Sequence, residues 1–374
     1  MTRFLVIFFA IYSLLHALVY SRVRVLLPEI PPARAAVVVL FALMIFAPVG
    51  ARLLERAASF GAARVCAFAA YCWLGFIFYC FWASLLADFA GAILRLANFL
   101  GGFSLPVPNG PATATCVLAA AVLLNVYGYF EARSIRVERV VLKSAKLPRG
   151  IDRVRIAQIS DVHLGLTAGE ERMERILRRV ESQRPDVLVS TGDLLDGHLE
   201  KTEAVAALFS KIHPRYGKYA ITGNHEVFAG LQECMEIEKS FGFTVLRGEA
   251  KKVGDVLNIV GVDDPVAGPD RDEAEILGGI QNGLFTLLLK HRPEVNNGSC
   301  GLFDLQLSGH THYGQLFPFR YFVGAYYTFQ NGPYHLANGS VLYTSRGSGS
   351  WGPPVRVLAP PEVTIIDVVR EDGN

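Results

Sequence analysis

An N-terminal α-helical transmembrane bundle followed by an α/β domain is the fold class this sequence predicts. Three observations lead there. The whole chain is 51% hydrophobic and 19% charged, with a mean hydropathy of +0.31, whereas a soluble protein carries about 25% charged residues. The excess apolarity is concentrated in the first third, as expected of a membrane part joined to a more ordinary soluble part. The rest alternates short β-branched runs with loops and a helix, the rhythm of an α/β domain. We place the membrane domain at residues 1–134 and the soluble domain at 135–374.

Four stretches free of charged side chains, residues 4–21, 35–51, 65–87 and 112–130, are long enough to span, since a crossing helix needs roughly 17–25 apolar residues. Pro48 and Gly50 are expected to shorten or kink the second. The first is read as an uncleaved helix, because no small-residue cleavage site follows Ser21. In residues 88–111, Phe89, Ile93, Leu96 and Leu100 fall near helical spacing. That stretch is either an interfacial amphipathic helix or an extension of the third span. His16, alone within the first span, reads as a packed side chain.

Orientation follows from Lys and Arg in the loops. With both termini inside, Arg3, Arg52, Arg56, Arg64 and the group Arg133, Arg136, Arg139, Lys143, Lys146 and Arg149 lie inside. Arg22, Arg24, Arg34 and Arg95 lie outside. The expected location is therefore the cell inner membrane, multi-pass, with the soluble domain cytoplasmic. The six cysteines show no CxxC spacing, so neither a disulfide framework nor a zinc-thiolate site is expected. A formal net charge of +2 and the lack of a basic stripe lead us to expect no nucleic-acid binding.

In the second part, strands are expected at 154–159, 186–191, 218–222, 257–262, 285–289, 305–308, 341–344 and 363–369. Several are almost continuously apolar, as strands buried on both faces are. Met173, Ile176, Leu177 and Val180 form one helical stripe, and Thr167 with Glu170 suggests a capping box at its start.

The chemistry stands just after the strands. Ser160-Asp161-Val162-His163 follows the first, Gly192-Asp193 the second and Gly223-Asn224-His225-Glu226 the third. Lys290-His291 and Gly309-His310-Thr311-His312 follow two later ones. Ligands of open α/β sheets bind beyond the carboxyl ends of the strands. Each residue alone has a mundane reading as a turn or cap, but as a set they describe a site. Alternate residues of His-x-His and Asp-x-His share one side of an extended backbone. Carboxylates and imidazoles without thiolates suit divalent Mn, Fe, Zn, Ni or Mg. Seven such ligands are too many for one tetrahedral ion and about right for two, as in two-metal phosphoryl-transfer sites.

These motifs, in this order, resemble the signature of the calcineurin-like metallophosphoesterases over about residues 150–370. The closing stretch, Ser345-Arg346-Gly347, Trp351-Gly352-Pro353-Pro354 and Pro360-Pro361-Glu362, resembles a branch whose members are often membrane-anchored. The resemblance implies an α/β four-layer metallophosphoesterase sandwich, two sheets flanked by helices. It implies that Asp161, His163 and His312 hold one ion, that Asn224, His291 and His310 hold the other, and that Asp193 bridges them. His225 would face the phosphate and the leaving oxygen without binding metal. A hydroxide bridging two divalent ions would then cleave a phosphoester or pyrophosphate.

Asp196, Asp263 and Asp264 are expected either to orient ligand imidazoles or to serve as turn and capping residues. Arg346 and His335 are expected either to touch substrate or, as the preferred reading, to serve at the surface. The expected partners are the lipid bilayer and a phosphorylated small-molecule or lipid substrate, the lipid being suggested by location. The rival reading is a membrane sensor or transporter whose metal-binding domain is a non-catalytic scaffold. The lack of Asp, Glu, Lys and Arg within the spans weighs against a transport pathway.

Overall fold

The structure, a computed structural model, describes residues 2–268, 272–280 and 282–371. The chain folds as two units, Met1–Phe130 with Gly352–Val355, and Glu131–Trp351 with Arg356–Asn374.

The first unit contains α1 (Thr2–Val23), α2 (Pro31–Arg56), α3 (Phe60–Gly101) and α4 (Gly110–Glu131). Each is long and apolar enough to cross a membrane. α2 runs through Pro48 to Arg56, so the expected shortening does not occur. α3 is 42 residues long, about 63 Å at 1.5 Å per residue, so the stretch after the third span is its extension. Asp88, in the second half of α3, pairs with Arg22 at the end of α1, which partly offsets its charge. Small residues allow close helix approach: Ala63, Ala67 and Ala70 of α3 are fully buried, and a Cβ on Gly75 would stand 2.7 Å from Asn125 Oδ1 of α4. His16 is buried, its Nδ1 2.8 Å from Tyr12 O and its Nε2 accepting from Trp73 Nε1 at 2.9 Å. It is a packed histidine, as expected.

The second unit runs β1 (Arg136–Ser144), β2 (Arg153–Ile159), α5 (Glu170–Ser182), β3 (Val187–Thr191), α6 (Thr202–Phe209), β4 (Lys218–Ile221), α7 (Asn224–Ser240), β5 (Thr244–Val245), β6 (Glu249–Val253) and β7 (Leu257–Gly261). It continues through α8 (Glu273–Gly278), β8 (Phe285–Leu289), β9 (Leu305–Ser308), α9 (Arg320–Tyr326), β10 (Gly332–His335), β11 (Val341–Thr344) and β12 (Glu362–Arg370). One sheet has the order β1-β12-β2-β3-β4-β5 and the other β10-β11-β9-β8-β7-β6. In the first, β2 to β5 are parallel and β12 is antiparallel to β2. In the second, β11, β9, β8 and β7 are parallel, with antiparallel β10 and β6 at the edges.

Side-chain alternation builds four layers. Along β2, Val154 and Ile156 join Ile259, Leu287 and Leu307 in the core between the sheets. Ala157 and Ile159 face the other way, against Met173, Ile176, Leu177 and Val180 of α5 and Phe209 of α6. Val260 and Leu288 point outward from the second sheet onto Ile276 and Leu277 of α8. Gln158 crosses the sandwich: its amide donates to Thr191 Oγ1 at 2.9 Å and to Ser308 O at 3.0 Å, pinning the strand ends of the two sheets together. The expected capping box does not form. α5 begins at Glu170 with Gly169 as N-cap, and no side chain bonds there. No disulfide joins any of the six cysteines, all of which lie among the described residues.

Candidate metal centre

All eight predicted site residues lie just beyond the C-terminal ends of parallel strands, where such sheets bind ligands. Asp161 and His163 follow β2, Asp193 follows β3, and Asn224 and His225 open α7 after β4. His291 follows β8, and His310 and His312 follow β9. The loops are stitched to one another. Asp161 N donates to Gly192 O at 3.0 Å, His163 N to Asp193 O at 3.0 Å, and Gly309 N to His291 O at 2.9 Å. Asp161 Oδ1 accepts from His310 N at 2.9 Å. Glu226 Oε2 accepts from Asp193 N at 2.9 Å and Gly223 N at 2.8 Å, and its Oε1 from Leu195 N at 2.8 Å.

The backbone is strained where it delivers the side chains. Asp161, His163, Asp193, His310 and His312 all have left-handed φ, from 48° to 69°. Non-glycine residues hold such values at a cost on the order of 1–3 kcal/mol each, and they cluster at functional sites.

The donor atoms converge in three overlapping groups, Asp161–His163–His312, His163–Asp193–His225 and Asp193–His291–His310, each with its ligand atoms within 4.8 Å of one another. His163 Nε2 lies 3.0 Å from His312 Nε2, and His312 Nε2 lies 3.5 Å from Asp161 Oδ1. His291 Nε2 lies 3.2 Å from both Asp193 Oδ2 and Asn224 Oδ1, and 3.1 Å from His310 Nδ1. Its Nδ1 is 2.8 Å from Thr191 O, which assigns the ring proton to Nδ1 and frees Nε2 as a ligand.

Electrostatics match a cation site. Burial, reinforced by neighbouring imidazoles, pushes His163 down to about 4 and His310 down to about 3. Burial and then the Arg356 guanidinium hold His312 well below the ordinary imidazole range. Burial, only partly offset by His291, raises Asp161 to about 6. Asp193 goes the other way: burial would raise it, but His291 and His225 hold it well below the usual carboxylate range. Burial disfavours charge on His291, yet Asp193 outweighs it and lifts the ring to about 10.

His225 differs from the other imidazoles. Its Nδ1 meets Asp196 Oδ1 at 2.6 Å and its backbone N–H donates to Asp193 Oδ1 at 2.9 Å. Burial is outweighed by Asp193 and the Asp196 hydrogen bond, raising His225 to about 9. Of the three acids expected to orient ligands, Asp196 meets a site imidazole, and that imidazole is His225. Asp264 chelates Arg292 at 2.7 and 2.9 Å, and Asp263 pairs with Arg247. Arg346 is a strut between Glu138 and Glu362, and His335 is exposed on the edge strand β10.

Sequence reading missed two members. Arg356 is fully buried and donates to the carbonyls of Gly349, Arg346 and Ala359 at 2.7, 2.8 and 3.0 Å, and to His312 Nδ1 at 2.9 Å. Glu226 was visible only as a motif letter. Their links to the site reach far along the chain, Glu226 to Asp193 and Leu195 and Arg356 to His312, so no local pattern announces them.

Gly223 is required for space. A Cβ there would fall 2.2 Å from Asp193 Oδ1 and 2.8 Å from His291 Nε2. Gly223→Ala is therefore expected to displace Asp193 and to lower turnover roughly 100-fold, as misplacement by about 1 Å does. Metal content per chain should fall in parallel, and an unchanged metal content would contradict this account.

The calcineurin-like phosphoesterase family model matches residues 154–314. An uncharacterized metallophosphoesterase of Aquifex aeolicus is 38% identical over 266 residues, covering 68% of this chain and 99% of that protein. One from Campylobacter jejuni is 30% identical over 256 residues, covering 66% and 68% respectively. A transmembrane protein with metallophosphoesterase domain from Danio rerio is 31% identical over 266 residues, covering 67% of this chain and 61% of its own length. The four apolar helices together with that transmembrane relative mark the chain as membrane-associated. The chain belongs to the calcineurin-like phosphoesterase family and is a metal-dependent phosphoesterase.

Proposed function

We propose that this chain is a membrane-anchored, dinuclear phosphohydrolase that cleaves a phosphoester or pyrophosphate bond, on a lipid-borne substrate at the bilayer surface. One observation carries the reading: seven carboxylate, amide and imidazole donors, delivered by five strand ends, pack with their ligand atoms facing one another. Two imidazole nitrogens 3.0 Å apart beside buried carboxylates make a poor protein interior and a good cation seat, because only a positive charge satisfies all of them. The unpartnered, buried His163 Nδ1 fits a ring held in place by its other nitrogen.

In this reading Asp161, His163 and His312 hold one ion, and Asn224, His291 and His310 the other, with Asp193 shared. Divalent ions bound there supply Lewis acidity toward the phosphoryl oxygens and an activated water. The protein's own part is orientation. Thr191 O and Arg356 fix the rings of His291 and His312. Asp196 holds His225 Nδ1, leaving Nε2 to donate to the leaving oxygen. The four apolar helices support the anchor and motivate the lipid substrate, and the loop charges support a cytoplasmic catalytic domain with both termini inside.

Purified full-length protein is expected to carry about two divalent ions per chain and to hydrolyse nitrophenyl phosphoesters. Chelation should abolish turnover, and Mn, Fe, Zn, Ni or Mg should restore it to different degrees, which would identify the working metal. Full turnover after exhaustive chelation, with the metals shown to be gone, would sink the dinuclear reading.

A further inference from the structure

Two large exposed aromatic side chains converge on His225. Phe228, one helical turn along α7, has its ring centroid 6.0 Å away at 74°, and Trp351 has its centroid 5.7 Å away at 68°. Phe228 is 65% exposed and Trp351 48% exposed. Scattered exposed apolar residues are ordinary; two bracketing one catalytic imidazole are not. The backbone of Trp351 is also fastened. The buried Gln315 side chain donates to Trp351 O at 2.9 Å and accepts from Trp351 N at 2.9 Å. Gln315 lies three residues past His312, so the backbone that carries the tryptophan is fastened to the metal loop itself.

We infer that Phe228 and Trp351 form a subsite for an apolar body carried on the leaving-group side of the scissile phosphate. This rests on the hydrolase reading above and deepens it. His225 is the group set to meet the leaving oxygen, so whatever that oxygen carries lies against the rings beside His225. Rigid aromatic walls gain contact area at small entropic cost, and they favour a flat ring or an acyl chain over a small polar alcohol. The chemistry shared by those two ligands is apolar surface next to the ester oxygen.

The test uses full-length, metal-loaded protein with phenyl and naphthyl esters, offered both as monoesters and as methyl diesters. The two leaving groups have closely matched acidity, so the ratio of their kcat/KM values isolates the additional ring. Wild type is expected to favour naphthyl by roughly tenfold, mainly through KM. Trp351→Ser and Phe228→Ser should each bring the ratio toward one, and Trp351→Phe should keep most of it. Calorimetric binding of octylphosphonate against methylphosphonate gives a readout independent of turnover. A preference for naphthyl alone marks a flat ring, and a preference for octyl alone marks an acyl chain. Metal content and melting profile establish that each variant is folded. If both serine variants hydrolyse the esters with wild-type ratios and bind the phosphonates as wild type does, the subsite is refuted and the hydrolase reading stands. If metal-loaded wild type hydrolyses no ester, the hydrolase reading fails first and takes the subsite with it.

Discussion

Asp193→Asn is expected to keep the fold and lose roughly 1000-fold or more in turnover, the loss of several kcal/mol of charge stabilisation. Asp193 and His163 each belong to two of the three donor groups, and of the two Asp193 is the one that brings a negative charge. Its Oδ2 lies 3.2 Å from His291 Nε2 and 3.9 Å from His163 Nε2, while Oδ1 accepts from His225 N. An asparagine keeps one oxygen for that backbone bond and gives up the charge. It also removes the carboxylate that lifts His291 and His225 above their ordinary range. The measurement is metal content per chain beside kcat: both ions should weaken together. A variant that keeps two ions and wild-type turnover would show that the shared-carboxylate arrangement is wrong.

His225→Asn should produce the second-largest effect, with a different signature. The ring bonds to Asp196 and the backbone N–H to Asp193, and these carboxylates outweigh burial and raise the imidazole to about 9. A group that gives a proton to the leaving oxygen contributes typically about 100- to 10,000-fold. That contribution matters most for alkoxides, which leave poorly without a proton, and least for nitrophenolate. The variant is therefore expected to lose roughly 1000-fold on alkyl esters and far less on nitrophenyl esters, with metal content unchanged. Asp196→Asn should give the same pattern at smaller amplitude, because it loosens His225 without removing it. Equal losses on both ester types would assign His225 to phosphate binding instead.

The interior strands were legible and the edge strands were not, for one physical reason. β8, β9 and β11 are buried along their whole length and occupy the bounds expected from their apolar runs. β1 is half-exposed throughout, β6 reads Glu-Ala-Lys-Lys-Val, and β5 has two residues. Such segments become strands because a neighbour offers a row of backbone partners, as β12 does along all nine residues of β1. Residues 88–101 were ambiguous for a related reason: Asp88 and Arg95 interrupt the apolar text, and the Arg22 pair that answers Asp88 comes from another helix. The site was readable because glycines flank its donors at strand ends. What could not be read were the roles that depend on meeting something far away in sequence, such as Arg356 on His312, Asp264 on Arg292 and the left-handed backbone at five donors.

The Glu226 carboxylate has a consequence for how variation at this site is interpreted. It is fully buried and spends both oxygens on three backbone N–H groups from two loops. Its own amide would turn one acceptor into a donor facing a donor, and an apolar side chain would leave all three N–H groups without this partner. Position 226 will consequently look as intolerant as the residues that meet phosphate, while never meeting it. Intolerance to change and participation in chemistry are separate properties, and here a single side chain has the first without the second.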